Sequence, residues 1–286
     1  MPPDMPPDTG PGPARLSGTR DSSPAPVPRP RDPVSSAHPE KAVDGFTALD
    51  GTVRFYSFVK AILMRTSARD VLDFGAGRGG FWFDDPSHYR KHMRDLRTTG
   101  ATVTACDIDE AVLGHPCSHH RETIRPGAPL PFADRSFDVI VSDMTFEHIA
   151  EPEAVARELM RILRPGGYLC ARTPNRFGYV ALLTRLVPNG LHARLLARIQ
   201  PGRKAEDVFP TVYRMNSPGR LGALFPDCEV SCFRDSAEPA YFFGNALLYR
   251  TLLAVHRLLP AALSTTLCAF IRKPSGEDRP GEGTMR

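Results

Sequence analysis

Between about Gly45 and Arg172, apolar and polar positions alternate between a helical rhythm and short buried runs. Phe46, Val53, Phe55, Phe58, Val59, Ile62 and Leu63 recur at helical spacing and predict a helix ahead of the first strand. A buried strand over 70–74 then ends in Gly75-Ala76-Gly77, a tight turn. A polar helix is expected around 87–96, and a strand over 101–106 that stops at Asp107-Ile108-Asp109. A short strand follows near 121–124, and a buried one over 138–142 that stops at Asp143. Val155, Leu159 and Ile162 mark one face of a helix over 152–163, and Arg164-Pro165-Gly166-Gly167 turns the chain into a strand over 168–172. Strands alternating with helices predict a parallel sheet built from right-handed crossovers.

After Thr173 the rhythm changes. Amphipathic helices with basic polar faces are expected over 176–199 and 244–259, and strands over 229–233 and 265–271. Residues 1–42 are rich in Pro and Ser with few large apolar side chains, and are expected to be disordered. The core then covers 43–175, a helical cover with the closing strands covers 176–274, and 275–286 is a flexible tail.

Composition narrows the class. A chain of 286 residues with 41% apolar content can bury one full domain and an appendage. No run of about 18 apolar residues predicts a transmembrane helix, and the N-terminus lacks the apolar stretch of a secretory signal. Six scattered cysteines fit buried thiols in a reducing compartment, so a cytoplasmic location is expected. A net charge of +4 does not imply nucleic acid as a partner, and membrane contact is expected to be peripheral at most.

The glycine turn is the strongest chemical signal. Gly75 and Gly77 suit positive φ and the close approach of a ligand, and the next helix would aim its N–H groups above the turn. A Gly-x-Gly turn alone also serves nicotinamide and flavin enzymes. Asp73 sharpens it, because a carboxylate there would repel a pyrophosphate and attract an amine or hydroxyl. Asp73, Asp107 and Asp143 all end predicted strands, where such sheets carry their sites.

Four spaced blocks occur in order: Asp73-x-Gly75-x-Gly77, Leu130-Pro-Phe-x-Asp-x-Ser-Phe-Asp138, Phe146-Glu147-His148 and Leu163-Arg-Pro-Gly-Gly167. Over about 71–174 the chain therefore resembles the class I S-adenosylmethionine-dependent methyltransferases of the kind found in quinone biosynthesis. The resemblance implies a Rossmann-like, seven-stranded α/β fold with a helical C-terminal cover, and S-adenosylmethionine as cofactor. It implies that Gly75, Ala76 and Gly77 pass beneath the methionine moiety, with Asp73 near its amino end. Asp107 would hold the ribose hydroxyls and Ile108 the adenine face, and Asp143 and Met144 would line the inner wall. Two features depart from the family. Asp107 lies far beyond the turn, which points to an insertion around 81–90 that covers the cofactor. The acidic residue often found shortly before Leu-Pro-Phe is replaced by Arg125-Pro126-Gly127-Ala128-Pro129.

Other residues admit more than one reading. His148 can act as a general base, since an imidazole can take a proton at neutral pH, or Glu147 and His148 can simply open a helix. His115, Cys117, His119 and His120 are potential zinc ligands, but adjacent residues rarely converge on one centre, so no metal is expected. Tyr179, Tyr213 and Arg214 are candidates for contact with a small-molecule or lipid-linked acceptor of anionic character. Arg194, Arg198, Arg203 and Lys204 form a basic stretch that is either a solvated face or an anion-attracting one. Two rivals to methyl transfer are a silent cofactor-binding relative and a nicotinamide-dependent oxidoreductase.

Overall fold

The protein is described by a computed structural model covering residues 32–179, 181–182, 210–239 and 242–275. Seven strands form one sheet: β1 (Asp70–Phe74), β2 (Thr102–Asp107), β3 (His120–Thr123), β4 (Phe137–Asp143), β5 (Leu163–Pro174), β6 (Glu229–Asp235) and β7 (Thr266–Arg272). Their order is β3-β2-β1-β4-β5-β7-β6. The first five run parallel, and β7 lies antiparallel between β5 and β6. The expected strand over 168–172 begins earlier, at Leu163. Phe137 faces Leu163 while Val139 faces Tyr168, so the Arg164–Gly167 turn is an irregularity inside β5.

Parallel strands covered on both faces must be apolar on both. Leu72, Ile140 and Leu169 point to one face, where they meet Leu159 and Ile162 of a helix over Pro152–Ile162. Val71, Val139, Val141 and Cys170 point to the other, against Phe55, Val59 and Leu63. These side chains are at most 2% exposed, and each contributes about 1.5–3 kcal/mol by leaving water. The six cysteines are free thiols.

Among the described residues the helices are, in chain order, α1 (Pro33–Ala37), α2 (Lys41–Asp44), α3 (Gly51–Thr66), α4 (Gly80–Asp84), α5 (His88–Arg94), α6 (Pro152–Ile162), α7 (Pro218–Leu224) and α8 (Ala246–Leu258). The first expected helix starts at Gly51, because the Asp50 carboxylate accepts from Thr52 N and Val53 N and sets the boundary there. Residues 32–42, expected to be disordered, are instead ordered. Asp32 caps α1 and pairs with Lys41, and Val34 is buried where α1 packs on α8. Residues 1–31, most of the helix expected over 176–199, the basic stretch at 194–204 and residues 276–286 lie outside the described residues. No described helix is long and apolar enough to cross a membrane.

Candidate active site

The site is built at the carboxyl edge of the parallel strands. After β1 the turn is pinned to β2, since Gly75 N and Ala76 N both donate to Cys106 O, at 2.8 and 3.1 Å. Gly75 and Gly77 both take positive φ, of 77° and 55°. Their reasons for being glycine differ. A Cβ on Gly75 would collide with the Thr145 side chain, whereas one on Gly77 would enter open space. Gly75 thus answers to packing and Gly77 to the space above the turn.

The three strand-end carboxylates lie within electrostatic reach of one another, yet their surroundings differ. Asp107 is tied to the turn: one oxygen accepts from Gly77 N at 2.8 Å and the other from Asp109 N at 3.0 Å. A carboxylate oxygen keeps a further lone pair after one such bond. Asp143 is enclosed by Arg172, which donates at 2.7 and 2.8 Å, by Tyr56 Oη at 3.2 Å and by Arg94 at 3.6 Å. Burial alone would raise its pKa, but Arg172 and Arg94 hold it below the usual carboxylate range. Asp73 receives no hydrogen bond among the described residues. Burial, helped by Asp143 and Asp107 and opposed by Arg94, pushes it up to about 7. It is a desolvated acid opposed by the charge of Arg94.

The segment after the turn, where an insertion is expected around 81–90, forms α4 and α5. Arg90 fastens it by pairing with Asp85 and with Asp50 at the head of α3. Ala76, Gly77, Arg78, Phe81, Asp84 and Arg94 border an open cavity of about 420 Å³ beside the turn. The Arg94 guanidinium lies 4.3 Å from the Phe81 ring centroid, and its buried Nε has no hydrogen-bond partner. Arg94 was not among the expected site residues. Ile108 and Met144 leave apolar side chains in solvent at this edge, 49% and 45% exposed. Met144 does so from a strained backbone with φ of 59°.

This edge carries a glycine turn opening on a cavity, an unpaired carboxylate and a second carboxylate braced on the turn. Residues 72–171 match the family described as Methyltransferase domain. A probable S-adenosylmethionine-dependent methyltransferase of Mycolicibacterium smegmatis is 34% identical over 118 residues, 40% of this chain and 42% of that protein. Over residues 72–171, the core of this chain is similar to that methyltransferase domain family. A demethylmenaquinone methyltransferase of Tropheryma whipplei is 28% identical over 196 residues, 65% of this chain and 75% of that one. The chain spans about two fifths of the length of the first of these relatives. The solved structure of the [4+2]-cyclase SpnF superposes with a TM-score of 0.46 at 14% identity, over 78% of this chain and 81% of that one.

The matched segment includes Asp73, Gly75, Ala76, Gly77, Asp107, Ile108, Asp143, Met144 and His148. His148 sits in a single 3-10 turn after β4. Its Nδ1 is 2.9 Å from Pro210 O, and a carbonyl only accepts, so Nδ1 carries the hydrogen. Nε2 faces Glu147 Oε1 at 3.9 Å. Burial raises the Glu147 acid above its ordinary range, against its own backbone N–H, His148 and the Thr173 hydroxyl. Of the acceptor candidates, Tyr213 and Arg214 stay beside this turn, since Val212 N and Tyr213 N donate to Glu147 O and Arg214 donates to Ala150 O. Tyr179 lies apart, its hydroxyl donating at 2.7 Å to His256 Nε2 on α8. His256 Nδ1 faces Ala237 O, which fixes that tautomer.

Proposed function

We propose that the protein transfers a methyl group from S-adenosylmethionine to an O, N or C atom of a small-molecule or lipid-linked acceptor. The observation that carries this reading is the Asp73 carboxylate. It is buried enough to be pushed up to about 7, it has no hydrogen-bond partner among the described residues, and it adjoins a turn whose Gly77 opens on free space. A desolvated acid of this kind favours a cationic amine and disfavours a pyrophosphate. The residues present fit the cofactor. Asp73 would meet its amino group, Asp107 its ribose hydroxyls, and the exposed Ile108 and Met144 its flat base. Arg94 borders the cavity beside the turn and offers the opposite charge to Asp73.

The sulfonium supplies an already activated methyl group. The chain's own tasks are alignment and exclusion of water, which need no charge relay. His148, oriented by its Nδ1–H on Pro210 O, is the group that would take an acceptor proton. The likeness to a demethylmenaquinone methyltransferase supports an acceptor of the lipid-linked class.

Calorimetry on the full chain tests the reading with S-adenosylhomocysteine and NAD as ligands. Heat from the first and none from the second is expected. Binding of NAD alone would overturn it in favour of an oxidoreductase. Binding of S-adenosylhomocysteine without methylation of any acceptor in a cell extract would favour the silent relative.

A further inference from the structure

A second cavity, of about 390 Å³, opens on the same edge of the sheet, beyond the ends of β4 and β5. Arg176, Arg214 and Arg220 border it, against the single carboxylate of Glu153. Arg220 is committed, since it pairs with Glu153 and donates from Nε to Arg214 O. Arg214 is anchored at one nitrogen by Ala150 O. Arg176 has no acidic partner among the described residues. Its guanidinium lies 5.3 Å from the Phe177 ring centroid, and its buried Nε makes no hydrogen bond. The first turn of α6 adds Pro152 and Glu153 to the wall, and Glu151 leaves that helix start without a side-chain cap. Guanidinium groups and an uncapped helix start favour the same kind of ligand. The segment bearing Tyr213 and Arg214 clasps the turn that holds His148, so the cavity stands next to the proposed base.

We propose that this cavity binds a carboxylate or phosphate group of the methyl acceptor, with Arg176 as its principal contact. The acceptor role rests on the methyl-transfer reading above. Val212 and Phe177, both exposed beside the arginines, suit an apolar body attached to that anionic group.

The test uses the full chain with inorganic phosphate and with benzoate, each against chloride at matched ionic strength, read by calorimetry and melting temperature. Millimolar phosphate or benzoate should bind to the wild type above the chloride control. Arg176→Gln should weaken that binding at least tenfold and leave S-adenosylhomocysteine affinity within twofold. Should Arg176→Gln not fold, Arg214→Gln is expected to give the same selective loss. Sedimentation with phosphatidylglycerol vesicles, against phosphatidylcholine ones, separates the sources. Vesicle binding lost in the variant assigns a lipid phosphate, and its absence assigns a soluble anion. A wild type that binds S-adenosylhomocysteine but neither anion overturns the anion site. Anion binding without any S-adenosylhomocysteine binding removes the acceptor role.

Discussion

The carboxyl ends of β1 and β4 present the same residue type at the same edge of one sheet, in opposite states. Asp143 is enclosed by two guanidiniums and a phenol, and its charge is spent on the fold. Asp73, one strand away, is left without a hydrogen bond, and its charge is held in reserve. The guanidinium that serves Asp143 comes from the strand partner of its own residue, since Asp143 and Arg172 are opposite in the β4–β5 register. Asp73 faces Ala105 and Val141, neither of which can answer it. A position in the sheet therefore decides which acid is paired across strands and which is not.

The largest effect should come from breaking the satisfied end. Arg172→Met leaves Asp143 buried without its main partner and should cost about 3–5 kcal/mol in urea denaturation. Arg172→Met combined with Asp143→Leu should recover most of that loss. A single change costing under about 1 kcal/mol would remove the contrast between the two ends.

Next is Asp107→Ala, which removes the carboxylate braced on the turn. Affinity for S-adenosylhomocysteine should fall by about 1.5–3 kcal/mol, or roughly 10- to 150-fold by calorimetry. An unchanged affinity would move the ribose role to Asp109.

The third change acts on the unsatisfied end through pH. The Asp73 pKa in the fold, about 7, lies above its ordinary 3.8, so the folded chain holds a proton that the unfolded chain has released. Its contribution is complete below about pH 4 and is lost as pH rises through about 7. Asp73→Asn should remove this loss, on the order of 1–2 kcal/mol between pH 5 and 8 once partial exposure is allowed for. The variant should then be the more stable protein above pH 7 and the weaker binder of S-adenosylhomocysteine there. Identical pH profiles for variant and wild type would show that Asp73 is already paired.

The smallest effect belongs to Gly77→Ala. Only the positive φ opposes the methyl group, so the stability cost should be about 1 kcal/mol. Gly75→Ala should cost more in a thermal melt, because its Cβ also meets Thr145.

Much of this is legible in the amino-acid sequence alone. The strands over 70–74 and 138–142 are apolar runs closed by an acid or a glycine, and their ends fell within a residue of the pattern. The turn and Asp107 were legible because each directly ends a strand. Arg94 was not, because its place depends on how α5 returns over the turn. The role of Asp143 depends on Arg172, 29 residues further on. A register for β4 against β5 would have exposed that pair as opposite charges facing across strands. The segment at 32–42 was misread because its composition conceals one anchoring side chain, Val34.

The position of β7 also governs the order in which the molecule can be finished. By Pro174 five strands are in place, and β6 has no hydrogen-bonded neighbour in the sheet except β7. A chain made from its N-terminus thus carries an open β5 edge until Thr266–Arg272 arrives. Such an edge is a template for strands of other molecules. A stop codon ahead of Thr266 would leave every residue of the glycine turn intact in a protein that cannot close its sheet.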